Sequence, residues 1–134
     1  MFDLINRNLL KSVMLFDGAF SLVAAAGLLT LSGPISILLG PAATPGIVAT
    51  FGLFFVVWGI FHLAVGRQDN PAPGAVRLAI AGDAIWLFGS VAVLLAVRDG
   101  LTATGIVLIA IAAIAVADIM FLKMKGLGRT TGIA

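Results

Sequence analysis

The 134-residue chain is 61% hydrophobic and 10% charged, with a mean hydropathy of +1.19; a soluble domain is about 45–50% apolar and 25% charged, so that class is excluded. Cysteine, glutamate and tyrosine are absent, which rules out disulfides and thiolate chemistry and leaves six aspartates as the only carboxylates. The net charge of +2 is too small to point to nucleic acid, and the single histidine cannot build a multi-histidine metal site.

A membrane-spanning helix needs about 20 mostly apolar residues. The first such run covers roughly residues 12–31, follows Arg7 and Lys11, and holds one charge, Asp17. Its apolar stretch is too long for a signal peptide, so it reads as a retained span. The stretch LSGPISILLGPAATPG (31–46) comes next. Ser32 suits an N-cap, Pro34 a first turn and Gly40-Pro41 a stop, which predicts a short interfacial helix. The second span, about 47–65, carries His62 on one stripe with Trp58 and Phe55. GRQDNPAPG (66–74) is polar and rich in Pro and Gly, and reads as a hinge. The third span, about 78–97, holds Asp83, with Ser90 on the same stripe. The fourth, about 105–122, holds Asp118 near Ile114 and Ala115. Ten Leu, Ile, Val or Phe residues in span three, at about −0.3 to −0.6 kcal/mol each, offset the cost of one aspartate.

The expected architecture is an all-α membrane protein of four transmembrane helices. It forms a single integral domain of two sequentially repeated hairpins, about 10–66 and 76–125. A linker at about 67–75 joins them and a short tail follows. The repeat rests on laying residues 10–29 over 76–95, which places Lys11 on Arg77, Asp17 on Asp83 and Phe20 on Trp86. Small residues recur every seven positions, at Gly52, Gly59 and Gly66, at Gly82 and Gly89, and at Ala110 and Ala117. That spacing predicts close helix packing in a left-handed bundle.

Seven of the eight basic residues flank the same ends of the spans, leaving Arg98 beside Asp99 on the other side. The positive-inside rule therefore places both termini and the middle linker in the cytoplasm. With that orientation Asp17, His62, Asp83 and Asp118 lie at matched depth, roughly 5–8 Å below the inner interface at 1.5 Å per residue. Trp58 and Ser90 sit beside this candidate polar layer. Its bland role is structural, with the aspartates bonded across helices or paired with Lys11, Arg67, Arg77 or Lys123.

No phosphate loop, nucleophile elbow or zinc motif is present, so no enzyme, metal or cofactor is expected. The leading expectation is an accessory or scaffold subunit that packs with a membrane-protein partner or with itself in the bilayer. The first alternative is a minimal proton- or cation-linked transporter using the Asp/His cluster, with His62 as the group that changes charge. The second is haem or pigment binding through His62.

The second half, GDAIWLFGSVAVLLAVRDGLTATGIVLIAIAAIAVADIMFLKMKGLGR (82–129), carries an Asp83-x-x-Trp86-x-x-x-Ser90 spacing, an LTATG turn and a closing GLGR. With the GPISILLG insert (33–40) of the first half, it resembles small uncharacterised four-span proteins of the bacterial inner membrane. The resemblance covers most of the chain. It implies four spans and that location, and no activity.

Overall fold

A computed structural model describes residues 2–131, with side chains for 8–130; the side chain of Arg7 lies outside the described residues. Five α-helices and one 3-10 turn follow in order: α1 (Phe2–Thr30), α2 (Ser32–Leu39), α3 (Pro45–Gly66), α4 (Pro73–Val97), the turn Arg98–Gly100, and α5 (Ala103–Thr131). All but α2 are long and apolar enough to cross a membrane. The chain is an all-α multi-pass membrane protein. α1 and α5 extend well beyond the expected spans, to Phe2 and to Thr131: no proline lies in either flank, and α5 carries Gly126 and Gly128 within its last turns.

Local chemistry sets the helix starts. Pro45 and Pro73 each occupy a first turn, where the missing N–H is no loss. Thr44 caps α3 by accepting from the Ile47 N–H at 3.3 Å. The expected N-cap at Ser32 is corrected: Ser32 is already helical and Leu31 is the cap residue, without a side-chain bond. The Leu31 N–H still bonds the Gly27 carbonyl while its own carbonyl accepts from Ile35, so the chain bends through one residue. Gly40 ends α2 at φ +113°, a conformation suited to glycine, and a Cβ there would stand 2.7 Å from Gly100 O and 2.8 Å from Thr102 N. The Thr102 N–H donates to Leu39 O and the Ala42 N–H to Gly100 O, both at 2.9 Å, tying the two connections at this end together.

α1 packs on α3 and on α5, and α4 on α5, whereas α3 and α4 scarcely approach. The α1–α3 seam follows from the heptad glycines. Gly52, Gly59 and Gly66 face Leu29, Leu22 and Leu15, also seven apart, and Gly18 faces Leu63 in the same antiparallel register. Lipid is as apolar as leucine, so this contact is favoured by close packing and not by removal from water. A Cβ on Gly59 would stand 2.8 Å from Leu22 Cγ and 3.0 Å from Gly18 O. Gly59→Ala is therefore expected to lower stability by about 1–3 kcal/mol, the cost of overpacking. The seven-residue packing expectation fails at Gly89, where an added Cβ meets nothing within 4 Å. Gly89→Ala should leave thermal melting in detergent unchanged or raised.

At the end where α1 begins and α5 ends, Leu10, Met14, Val65, Val76, Ala79 and Leu127 form a buried apolar plug. The charged layer lies immediately inside it.

Candidate functional site

Each spanning helix contributes one ionisable group to a single buried cluster: Asp17 from α1, His62 from α3, Asp83 from α4 and Lys123 from α5. His62 and Lys123 are fully buried, and Asp17 and Asp83 are nearly so. The Lys123 ammonium donates to Asp17 Oδ2 at 2.5 Å and to Asp83 Oδ2 at 2.6 Å, and it contacts His62 Nε2 at 2.9 Å. Three N–H donors thus meet three acceptors, the full capacity of an ammonium. Ser21, one turn beyond Asp17, lies 3.4 Å from Asp17 Oδ1.

The tautomer of His62 follows from its other nitrogen. Nδ1 lies 2.9 Å from the Trp58 carbonyl, an acceptor only, so Nδ1 carries the hydrogen. In the neutral ring Nε2 then offers a lone pair, which accepts from Lys123. His62 Nε2 and Asp17 Oδ2 stand 3.1 Å apart, both turned toward the same ammonium. With both carboxylates ionised and His62 neutral, two carboxylates stand against one ammonium, and the cluster carries one negative charge. In a medium of low dielectric such a charge is costly unless another cation joins it.

Asp17, His62 and Asp83 also form a possible metal-donor set, with ligand atoms within 4.8 Å of one another. Lys123 Nζ already stands at their common focus and serves as the cation. Both nitrogens of His62 are engaged, so neither is directed at open space for a haem iron.

The expected layer is thus three-quarters assembled. Asp17, His62 and Asp83 come together as their depth suggests, but Asp118 is corrected: it is exposed on the opposite face of α5. Lys123, which sequence reasoning placed in the basic flank as one of four possible partners, takes its place. Five residues at 100° each put positions 118 and 123 about 140° apart around the helix, so both cannot face inward. Lys123 shares its stripe with Leu127, one turn on, which is buried. That stripe was the signal available in the sequence. Ser90 is buried but sits apart from the cluster, donating to the Trp86 carbonyl at 2.8 Å.

Above the cluster, toward mid-span, lies a cavity of about 250 Å³ among all four spanning helices. Asp17 and Asp83 line its charged end, and Phe54, Phe55, Trp58 and Trp86 line its walls. Trp58 lies edge-on to His62 at 4.8 Å and packs directly over the α-carbon of Gly82, so α3 and α4 meet through rings. Phe55 and Trp86 contact edge-to-face at 5.0 Å. Trp86 Nε1 is buried with no hydrogen-bond partner among the described residues. The cavity reaches the lipid-facing surface beside Phe54 and Ile111, which are 46% and 58% exposed.

Comparison with known protein families, with curated proteins and with solved structures finds no match to this chain.

Proposed function

We propose that the protein is a small, non-enzymatic, proton-linked membrane carrier whose four-group cluster binds and releases one proton. The observation that supports this most is the 3.1 Å approach of His62 Nε2 to Asp17 Oδ2 beside the Lys123 ammonium. A proton arriving on Nε2 finds a carboxylate acceptor already in place and neutralises the excess negative charge. The same proton converts Nε2 from acceptor to donor, so Lys123 loses one of its three partners. The ammonium is then driven toward the two carboxylates, which shifts α5 against α3.

In this reading the basic ends of the spans face the cytoplasm of a bacterial inner membrane, as the charge bias and the resemblance to small four-span proteins imply. Asp17 and Asp83, bound to one ammonium, fit descent of the two hairpins from a duplicated unit.

The test uses liposomes holding the reconstituted protein and an internal pH dye, under an imposed pH gradient. Proton entry is expected to be faster with the wild type than with His62→Asn or with empty liposomes. Equal rates in all three overturn the reading.

A second reading, a scaffold subunit or self-associating protein, is favoured by α4 alone. Gly89 lies open among exposed Ile85 and Phe88, leaving a surface where another helix can approach closely.

A further inference from the structure

We propose that the mid-span cavity binds a small organic ammonium ion, its charge at the Asp17–Asp83 end and its apolar body against the rings of Trp58 and Trp86. The inference rests on the proton-linked reading, because the ammonium and the proton would neutralise the same excess negative charge.

Three features of the cavity select this chemistry. Asp17 from α1 and Asp83 from α4 line its charged end, with His62 from α3 and Lys123 from α5 bonded behind them, and the four sum to one negative charge when both carboxylates are ionised and His62 is neutral. A neutral or anionic occupant leaves that charge unanswered, and a cation answers it. The walls are aromatic, with Trp58 and Trp86 among them, and offer apolar surface to the organic body that the charged group carries. The volume, about 250 Å³, lies just below the ~300 Å³ at which drug-sized pockets begin, so the occupant is small. The buried, unpartnered Trp86 Nε1 offers a donor to an occupant that also carries a hydroxyl or ether oxygen. Entry is from the bilayer, where the cavity reaches the surface beside Phe54 and Ile111.

Lys123 makes the site an exchanger. Its ammonium uses one oxygen of each aspartate, Asp17 Oδ2 and Asp83 Oδ2. Protonation at His62 makes the cluster neutral and removes its attraction for a second cation. One bound ammonium is therefore exchanged for one bound proton.

The test exploits the fact that the only two tryptophans, Trp58 and Trp86, both line the cavity, so intrinsic fluorescence reports its occupancy. Wild-type protein in lipid nanodiscs is titrated with benzyltrimethylammonium and with its uncharged carbon isostere, neopentylbenzene, at several pH values. The expected result is a saturable change with the cation and at least about a tenfold weaker response to the isostere. Apparent affinity for the cation should fall by about tenfold for each unit by which the pH is lowered, once the proton competes. Asp83→Asn should bind the two probes alike. Equal binding of both probes by the wild type, or no saturable response, overturns the inference and leaves proton uptake standing. Cation-selective binding that ignores pH supports the ammonium site and overturns the proton-linked reading.

Discussion

Lys123→Met is expected to destabilise the bundle by about 3–5 kcal/mol, the cost of leaving buried charges without their partner. The amine meets both carboxylates and the imidazole, and it is wholly buried. Methionine nearly fills its volume, so the loss reports charge and not a void. Two controls separate this from a general effect of altering α5. Lys125→Met, two residues on and exposed, should leave the melting temperature unchanged. Adding Asp17→Asn and Asp83→Asn to Lys123→Met should restore much of the stability, because the buried carboxylates that need the ammonium are then gone. Thermal melting in detergent, followed by circular dichroism, checks all three. A triple variant no more stable than Lys123→Met would show that the ammonium does not act through the two aspartates.

The two aspartates are expected to respond unequally. Asp17 contacts Lys123, His62 and Ser21, whereas Asp83 has Lys123 as its one partner in the cluster. Asp17→Asn is therefore expected to cost about 2–3 kcal/mol and Asp83→Asn about 1 kcal/mol, since an asparagine oxygen still accepts from the ammonium. Function should follow charge and not stability. With Asp83→Asn, one carboxylate stands against one ammonium, the cluster is neutral and no further proton is needed. This variant should fold, melt close to the wild type, and carry protons no faster than His62→Asn. Melting curves and dye-loaded liposomes on the same preparations check both halves. A folded Asp83→Asn variant with wild-type proton entry would contradict the role given to the excess charge.

Much of the architecture was legible in the sequence because an apolar run long enough to span a bilayer leaves helix as its one local solution. The α1–α3 seam was legible in half: Gly52, Gly59 and Gly66 announced a close approach, but not that Leu15, Leu22 and Leu29 would fill it. Three of the four cluster members were recognisable as one ionisable residue per span at matched depth. The fourth was misjudged because matched depth was given more weight than direction, and the Ile114 and Ala115 neighbours of Asp118 mark no inward face. Asp118 has the right depth and the wrong face. Lys123 has the right face but sits where basic residues ordinarily reach out to the lipid headgroups, and α5 carries it inward instead. The cavity was illegible, since it depends on α3 and α4 standing apart with Trp58 and Trp86 between them.

His62 is the chain's only histidine, so the ¹⁵N spectrum of protein labelled at histidine reports this one ring. In lipid at high pH, the expected spectrum shows a protonated Nδ1, held by the Trp58 carbonyl, and an unprotonated Nε2 facing Lys123. On acidification, with the bundle still folded, Nε2 should become protonated in the wild type. A ring protonated at Nε2 and bare at Nδ1 at high pH, or one whose spectrum never changes with pH, would contradict a cluster poised to take up a single proton.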